Sequence, residues 1–495
     1  MKNSGGNITR RDLIIGSAAA GGLAMLGTPA LSFAQATAGT GSAGASGLED
    51  LGDLLGGNLI TPTSEAYDSS RKVWNAMIDK HPAAIARCSG VADVMQVVNY
   101  ARDNKIAVTV RGGGHNVAGK AVRDGAITID LGPMHGIWVD PGKKRARAQG
   151  GVRWGAFDRD TTALNLVTTG GTVGTTGIGG LTLGGGLGWL MRKHGLSCDN
   201  VLSAEVVTAD GRLLTASESE NSDLYWAIRG GGGNFGVVTS FEYQLHDLEP
   251  IAGGMALYPE SMLKDMFHFY RDYTSSAPDS VTTMAGVMIG PPGTPVEGQN
   301  AGLLAVCHSG SAADGERLVR PIKEFGPPAV DFIGPTSYTA IQSLFAAAGA
   351  PGTRNYWRSN FMNELTDDAI DALIARSDEL PPPGTLLLIE HLGGAVGRVG
   401  NQNTAFSNRE ANYNVSVFGT WIEADEDERN IAWVRKFGDE LKAHATGGAY
   451  VNYMAADEST ANVRSAYEAN FQRLVEVKRK YDPMNFFSSN QNIVP

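Results

Sequence analysis

A run of three glycines followed by a histidine is the feature of this chain most able to do chemistry. The glycines are Gly112, Gly113 and Gly114; they follow the β-branched stretch 108–110, and His115 comes next. Glycines that turn with positive φ leave backbone N–H groups unobstructed, which is how a loop cradles a diphosphate. The same pattern fits an ordinary turn with a surface histidine. The loop alone therefore leaves both interpretations open.

A second turn further along the chain adds a thiol. Residues 195–200 read Gly-Leu-Ser-Cys-Asp-Asn, which places Cys198 beside Asp199 and Asn200. A neutral imidazole and a thiolate are both nucleophiles, so His115 and Cys198 could each bond to an electrophilic ring edge. The alternative for Cys198 is a small buried apolar residue, a frequent role of free cysteine.

The two motifs resemble those of the berberine-bridge-enzyme-like flavoproteins, a branch of the vanillyl-alcohol-oxidase superfamily, over most of the chain after residue 36. The resemblance implies FAD as cofactor, bonded through its 8α carbon to His115 and through C6 to Cys198. It also implies cofactor contacts from both motifs, from the glycine-rich segment 177–186, from the Gly-Gly-Asn-Phe-Gly segment at 232–236 and from one residue near the C-terminus. The predicted cofactor-binding residues are Arg111, Gly112, Gly113, Gly114, His115, Asn116, Gly177, Gly179, Gly180, Thr182, Gly184, Cys198, Asn200, Asn234, Gly236, Val238 and Asn452.

The same resemblance selects the candidate catalytic residues. Residues 450–453 match a Tyr-x-Asn-Tyr segment whose second tyrosine is the base in several members, so Tyr453 is the first candidate and Tyr450 supports it. An aromatic core strand is the alternative for this segment. A phenol with an ordinary pKa of about 10 also needs a positive neighbour or hydrogen bonds to act as a base at neutral pH. Glu390 is a secondary candidate, because His391 and Leu392 depart from the family pattern and an exposed strand end fits equally well.

Thr182 occupies the position that the resemblance associates with oxygen access, where relatives carry Val, Ile or Leu. Threonine is no bulkier than valine, so this position favours an oxidase that uses O2 and releases H2O2. A dehydrogenase of the same family with another electron acceptor is the alternative.

Other cofactor patterns fail on their context. Residues 231–236 satisfy Gly-x-Gly-x-x-Gly, but a predicted helix precedes them and a predicted strand follows, the reverse of a Rossmann site. The chain has no Cys-x-x-Cys or His-Glu-x-x-His, and its 9 histidines are scattered, so we predict no metal site.

Composition excludes one class of partner and indicates several domains. A net charge of −11 argues against nucleic-acid binding, which depends on clustered Lys and Arg. At 495 residues the chain is longer than one ordinary hydrophobic core supports, so its length indicates several domain-sized units. Of the 3 cysteines, we predict that Cys88 and Cys307 are free.

The N-terminus resembles an export signal. Residues 1–36 contain Arg10 and Arg11, then a weakly apolar run, then Ala34-Gln35-Ala36 as a cleavage site. We expect the twin-arginine machinery to export the folded protein to the periplasm or the medium, with no membrane association after cleavage. Glycines and Pro29 interrupt the apolar run and weaken the alternative of a membrane anchor.

Periodicity and turn signals predict an α+β protein. Helical spacing covers 91–104 and 465–481, short strands cover 106–110 and 126–131, and Asp210-Gly211 indicates a hairpin. With the resemblance, this predicts a flexible mature N-terminus over 37–64 and a PCMH-type FAD-binding domain of two subdomains over 65–247. A substrate domain with an antiparallel sheet flanked by helices would cover 248–448, and 449–495 would return to the FAD domain.

The predicted function is oxidation of a small alcohol by hydride transfer to flavin N5. The substrate would be a sugar anomeric hydroxyl or a secondary-metabolite alcohol. Two further alternatives are a reductase of this fold that holds FAD noncovalently and uses NADPH, and an exported protein that binds flavin or ligand without turnover.

Overall fold

The computed structural model describes residues 45–381 and 384–495, and its strands form four β-sheets. The predicted twin-arginine signal lies outside the described residues. Within them, no helix is both long enough and apolar enough to cross a membrane.

The first sheet carries the glycine-rich loop at the end of one of its strands. It has the order β1-β2-β4-β3, and the pairs β2/β4 and β3/β4 are parallel. Its strands are β1 (Leu59–Ile60), β2 (Ala84–Arg87), β3 (Val108–Arg111) and β4 (Ile127–Asp130). The helix Val91–Asp103 packs Val94, Val97 and Val98 into the core of this sheet, as the helical spacing predicted.

The second sheet is antiparallel and has the order β5-β6-β10-β8-β9. Its strands are β5 (Ile137–Asp140), β6 (Arg145–Gln149), β8 (Val201–Val207), β9 (Leu213–Ser217) and β10 (Val237–Gln244), while β7 (Leu166–Val167) and β11 (His246–Asp247) pair separately. Strands β8 and β9 form the hairpin that Asp210-Gly211 predicted. The helix Ser222–Ile228 precedes residues 231–236 and β10 follows them, which confirms the order that excluded a Rossmann site.

The third large sheet has eight antiparallel strands. Its order is β15-β12-β14-β13-β18-β19-β17, and β16 pairs with β12. The strands are β12 (Ile251–Pro259), β13 (Val281–Ile289), β14 (Asn300–Ser309), β15 (Val330–Asp331), β16 (Gly334–Thr336), β17 (Arg354–Met362), β18 (Leu386–His391) and β19 (Tyr413–Trp421). Helices pack on one face of this sheet around a core that includes Ile389, Val417 and Phe437. This arrangement confirms the predicted α+β class with a helix-flanked antiparallel sheet.

Helices and 3₁₀ turns connect the strands. The α-helices are Ala45–Leu54, Tyr67–Ser70, Val91–Asp103, Trp154–Thr162, Ile178–Leu183, Met191–His194, Ser222–Ile228, Leu263–Ser276, Ala312–Glu324, Tyr338–Ile341, Asp367–Ile374, Ala395–Arg398, Asp427–Lys442, Thr460–Tyr467 and Phe471–Tyr481. The 3₁₀ turns are Ser197–Asn200, Glu260–Met262, Ala346–Gly349, Ser377–Glu379, Ala424–Glu426, Val451–Tyr453 and Glu468–Asn470.

The C-terminal segment packs against the loop that follows Ser222–Ile228. The buried Lys478 ammonium donates to the carbonyl oxygens of Asn234 at 2.8 Å and Phe487 at 3.0 Å, and pairs with Asp482 at 2.7 Å. A lysine that is 0% exposed is tolerated because all three partners accept from it. The domain boundaries drawn from the sequence remain a proposal.

Three local predictions differ from the structure. The described part of the predicted flexible terminus contains the helix Ala45–Leu54, and Leu51 is buried in the core of the first sheet. The single helix predicted over 465–481 is broken, because Glu468 adopts a left-handed φ of 46°. Residues 451–453 form a 3₁₀ turn, which rules out the core-strand alternative for this segment.

Candidate active site

A cavity of about 350 Å³ lies between the glycine-rich loops and the eight-stranded sheet. Its lining brings together residues that are far apart in the chain, from the loop after β3, the segment 171–187, the segment 232–238, strands β17 to β19 and the C-terminus. The lining includes Trp74, Gly112, Gly113, Gly114, His115, Asn116, Gly177, Gly179, Gly180, Asn234, Gly236, Val238, Asn355, Trp357, Leu386, Leu388, Glu390, Phe418, Thr420, Tyr450, Asn452 and Tyr453.

The loop after β3 is built to receive an anionic group. None of the five backbone N–H groups from Gly112 to Asn116 has an acceptor among residues 45–381 and 384–495. A Cβ on Gly113 would lie 2.3 Å from the backbone nitrogen of Gly177, so only glycine permits this approach of two chain segments. Unpaired backbone donors at a cavity fit the diphosphate of FAD. Residues 112–116 would hold that diphosphate.

His115 lies at the end of this loop and lines the cavity. Its imidazole stacks on the indole of Trp74 with ring centroids 4.7 Å apart, and its Nε2 is 2.9 Å from Thr175 Oγ1. Burial, with a smaller effect from the positive charge of Arg153, lowers the pKa of His115 to about 4. The imidazole is therefore neutral at pH 7 and able to act as a nucleophile toward a group in the cavity.

Cys198, predicted as the second flavin anchor, does not line the cavity. Its side chain is 0% exposed and packs with Leu196, Phe361 and Phe406 in an apolar cluster behind the lining residue Tyr450. Burial, together with the neighbouring charge of Asp199, raises the pKa of the thiol above its usual range. The structure therefore favours the alternative for Cys198, a small buried apolar residue, over the predicted bond to the flavin. Cys88 and Cys307 are also buried and free, as predicted.

The neighbours of Cys198 explain why the motif is nevertheless specific. Asp199 accepts two hydrogen bonds from the Arg409 guanidinium, each 2.7 Å long, and side chains of this pair are 8% and 1% exposed. Asn200 donates to the carbonyl oxygens of His194 at 3.0 Å and Leu196 at 2.8 Å. Cys198, Asp199 and Asn200 thus close a turn, and none of the three lines the cavity.

Three further residues predicted to bind FAD lie behind the lining. Arg111 pairs with Asp130 at 3.0 Å and donates to the carbonyl of Ser70, so it anchors the start of the glycine-rich loop on the side away from the cavity. Thr182 is 0% exposed and its hydroxyl is 2.8 Å from the Tyr243 hydroxyl, so its predicted influence on oxygen access loses its geometric basis. Gly184 permits the approach of Asn452, whose Oδ1 would lie 2.1 Å from a Cβ there.

The remaining predicted cofactor residues line the cavity. They come from the loop after β3, from the segment around Ile178–Leu183, from the turn before β10 and from the Tyr-x-Asn-Tyr segment. They are Gly112, Gly113, Gly114, His115, Asn116, Gly177, Gly179, Gly180, Asn234, Gly236, Val238 and Asn452. The structure thus collects most of the predicted residues around one space.

The candidate catalytic groups form a hydrogen-bonded set at the eight-stranded sheet. The Tyr453 hydroxyl donates to Glu390 Oε1 at 3.2 Å, and Asn414 Nδ2 donates to Glu390 Oε2 at 2.7 Å. Glu390 is 2% exposed, which excludes the alternative of an exposed strand end. Burial raises the pKa of Glu390 to about 7, and the two hydrogen bonds oppose the shift.

These contacts reverse the predicted order of the candidate bases. Burial and the charge of Glu390 raise the pKa of Tyr453 well above its usual value, and Tyr453 donates to the carboxylate. The positive neighbour that a basic phenol requires is replaced here by a negative one. Tyr450 is 2% exposed, and its oxygen accepts from Gly186 N at 2.9 Å and Asn452 Nδ2 at 2.8 Å. Glu390 is therefore the group best suited to accept a proton at neutral pH.

The sequence missed the residues that give the cavity its apolar wall. Trp357, Leu386 and Phe418 line it, and Trp74 covers His115. The only signal for them was alternation along each strand. Leu386, Leu388 and Glu390 face the cavity, whereas Leu387 and Ile389 face the helix-covered core.

Comparison with known proteins agrees with this geometry. Residues 82–217 match the family described as FAD binding domain, and residues 449–494 match the family described as berberine and berberine like. The (R)-6-hydroxynicotine oxidase of Paenarthrobacter nicotinovorans is 32% identical over 453 residues, covering 89% of this chain and 97% of that protein. The chain belongs to the berberine-bridge-enzyme-like family of FAD-linked oxidoreductases.

Two further members support the assignment. An FAD-linked oxidoreductase of Dictyostelium discoideum is 30% identical over 447 residues, which is 90% of this chain and 96% of the relative. The crystal structure of 6-hydroxy-D-nicotine oxidase from Arthrobacter nicotinovorans superposes with a TM-score of 0.81 at 29% identity, covering 88% of this chain and 97% of the other. This berberine-bridge-enzyme-like protein therefore has the PCMH-type fold and FAD cofactor that the sequence predicted.

Proposed function

We propose that this berberine-bridge-enzyme-like protein oxidises the CH–OH group of a small alcohol, with Glu390 as the base. The observation that carries the proposal is that Glu390 and His115 line the same cavity. FAD, when bound, supplies the two-electron acceptor for the hydride that leaves the carbinol carbon. The substrate hydroxyl proton passes to the Glu390 carboxylate. Asn414 and Tyr453 hold that carboxylate in place through hydrogen bonds of 2.7 and 3.2 Å.

A single covalent bond to the cofactor, through His115, is part of the proposal. It replaces the bicovalent attachment expected from the sequence, because Cys198 is fully buried and does not line the cavity. Support for His115 comes from its place beside the unpaired backbone donors and from its lowered pKa, which keeps the imidazole neutral. The positions Gly177, Asn234, Gly236, Val238 and Asn452 would contact other parts of the cofactor.

Oxygen is the proposed electron acceptor, with H2O2 as product. The relatives named hydroxynicotine oxidases support this choice, whereas the position of Thr182 does not bear on it. A dehydrogenase with another acceptor remains the alternative. A buried carboxyl with a pKa near 7 in the cavity favours an enzyme over a protein that only stores flavin.

Export of the folded protein by the twin-arginine machinery is also proposed. Its support is the pair Arg10 and Arg11 followed by a weakly apolar run and the small-residue site at 34–36. A folded carrier route suits a protein that binds its flavin before export. The N-terminal residue of the protein recovered from the periplasm would test the cleavage site.

The test of the base compares two substitutions in anaerobic stopped-flow measurements of flavin reduction. Glu390→Gln is expected to slow reduction about 10²–10⁴-fold, because the proton acceptor is lost. Tyr453→Phe is expected to slow it less, by about tenfold, because it removes one hydrogen bond to the carboxylate, worth about 1.5 kcal/mol, and leaves the proton acceptor in place. The opposite order of the two variants would assign the proton to Tyr453.

The pH profile gives an independent readout. In the wild type, the reduction rate should rise about tenfold per pH unit below pH 7 and level off above it, since the carboxylate must be ionised to accept a proton. Glu390→Gln should lose this dependence. The free energy of unfolding should change in the opposite direction. Because the pKa of Glu390 is raised in the folded state, its contribution favours folding below the ordinary pKa of 4.5 and is lost as the pH rises to about 7.

A further inference from the structure

Strands β17, β18 and β19 of the eight-stranded sheet form a wall of the cavity that is apolar at one level and carries the candidate base at another. Pairing brings Trp357 opposite Phe418 and Phe418 opposite Leu386, so these three residues form one row across β17, β19 and β18. All three line the cavity. Further along the same strands, Asn414 lies opposite Glu390. The wall therefore has an aromatic and aliphatic row at one level and the candidate base at another.

The separation of these levels follows from strand geometry. Leu386 and Glu390 are four residues apart on β18, which corresponds to about 13 Å at ~3.3 Å per residue. Tyr453 spans part of this interval. Its ring centroid lies 5.6 Å from Trp357 and 5.0 Å from Phe418, while its hydroxyl reaches Glu390 at 3.2 Å. A ligand that lies beside Tyr453 and contacts both levels must be longer than one aromatic ring.

Most polar side chains on these strands hydrogen-bond to other protein groups, whereas Asn414 Oδ1 is an exception because it has no partner among the residues that the structure describes. Thr420 Oγ1 donates to Asn355 Oδ1 at 2.9 Å, and Asn355 Nδ2 donates to the Thr353 carbonyl at 3.0 Å. Nearer to Glu390, the Ser359 hydroxyl accepts from Tyr450 N at 3.0 Å and the Ser416 hydroxyl accepts from Asn414 Nδ2 at 3.2 Å. A sugar presents several hydroxyls that require partners in a buried site. This wall offers them few free ones.

We propose that the substrate is an elongated aryl alcohol, with its carbinol at Glu390 and a second apolar ring on Trp357, Phe418 and Leu386. This inference rests on the proposed alcohol oxidation and chooses between its two substrate classes. The carbinol C–H bond breaks with its electron pair leaving as hydride to FAD, and the O–H proton passes to Glu390. The alcohol is oxidised to the carbonyl and FAD is reduced by two electrons. Trp357 and Phe418 set specificity.

The test uses two alcohols that differ only in length. The kcat/KM for 4-biphenylmethanol should exceed that for benzyl alcohol, and both should exceed those for glucose and cellobiose. Trp357→Ala should raise KM for 4-biphenylmethanol about tenfold or more and change kcat little, because the row binds the distal ring equally before and during the reaction. Benzyl alcohol should show no comparable change. Trp433→Ala is the matched control, since Trp433 is a part-buried tryptophan packed in the helix-covered core.

A ligand that cannot be oxidised separates this inference from the proposed function. Biphenyl-4-carboxamide, titrated against the flavin absorbance of the holoenzyme, should bind at least about tenfold tighter than benzamide, and Trp357→Ala should remove the difference. If the carboxamide shows this preference but no alcohol reduces the flavin, the alcohol oxidation fails while the elongated aryl site stands. If cellobiose or glucose is the better substrate, or Trp357→Ala affects both ring lengths equally, the substrate inference is wrong and the proposed oxidation stands.

Discussion

His115 and Cys198 are two nucleophiles beside two glycine-containing turns, and the structure places them in opposite surroundings. The backbone N–H groups around His115, from Gly112 to Asn116, have no acceptor among the described residues. Around Cys198 the donors are used: Ser197 N bonds to the Gly186 carbonyl at 3.0 Å and Cys198 N to the Gly185 carbonyl at 2.8 Å. A loop with unpaired backbone donors can bind a ligand, whereas a turn whose donors are paired stabilises the fold.

Electrostatics follow the same division. The neutral imidazole of His115 faces a cavity, while the Asp199–Arg409 pair beside Cys198 is almost fully buried. Arg409 belongs to the segment before β19, so the pair joins the turn to a distant part of the chain. Reactive groups and structural groups can therefore share a local motif and be told apart by the state of their backbone donors.

The largest expected effect is on covalent flavin. His115→Ala should abolish it completely, because no other nucleophile is expected to reach the same position, whereas Cys198→Ala should retain it in full. Acid precipitation followed by mass mapping of flavin-bearing peptides measures both. Flavin on a peptide containing Cys198, or full attachment in His115→Ala, would contradict the division drawn above.

A buried pair and an exposed pair should differ strongly in stability. Arg409→Met leaves Asp199 without its partner and should lower the free energy of unfolding by about 3–5 kcal/mol. Arg317→Met is the matched control, because its pair with Asp314 is 62% and 53% exposed, and it should leave the free energy of unfolding nearly unchanged. Denaturant unfolding of the two variants gives the comparison. Equally small losses of unfolding free energy in the two variants would mean that the Asp199–Arg409 pair does not stabilise the turn at Cys198.

Local features of the site could be predicted from the sequence, whereas the direction of side chains could not. The glycine-rich loop and His115 are contiguous, so their proximity needs no tertiary information. Thr182 was misplaced because it shares a face of the helix Ile178–Leu183 with buried Ile178, and the glycines around it hid the helical period. Tyr453 was ranked first on the family resemblance, and the sequence does not reveal that its hydroxyl donates to the carboxylate of Glu390.

The apolar wall required strand register. Trp357, Leu386 and Phe418 are separated by tens of residues, and only the pairing of β17, β18 and β19 aligns them. Period-two alternation on β18 indicates which residues share a face, but it does not say which face meets the cavity. The overall α+β class was predictable because its helices and hairpin carry strong local signals.

The protonation of His115 gives a smaller, pH-dependent contrast. With its pKa lowered to about 4, His115 stays neutral from pH 5 to 8, so covalent incorporation of FAD into the apoprotein should change by less than about twofold. An imidazole of ordinary pKa near 6.5 would be about 3% neutral at pH 5, and its rate would fall about 30-fold. In-gel flavin fluorescence at timed intervals measures the rate. A fall of that size would show that His115 is not protected by burial.

The last contrast concerns the group that orients His115. Thr175 Oγ1 lies 2.9 Å from His115 Nε2 and fixes the ring against Trp74. Thr175→Val removes one neutral hydrogen bond, worth about 0.5–1.5 kcal/mol, so incorporation should slow about 2–10-fold and still reach completion. Thr215→Val, on the exposed side of β9, is the control and should leave the rate unchanged. An unaltered rate in Thr175→Val would assign the orientation of the imidazole to Trp74 alone. Total loss of attachment would mean that Thr175 is needed for the conformation of the glycine-rich loop and not only for the orientation of the His115 ring.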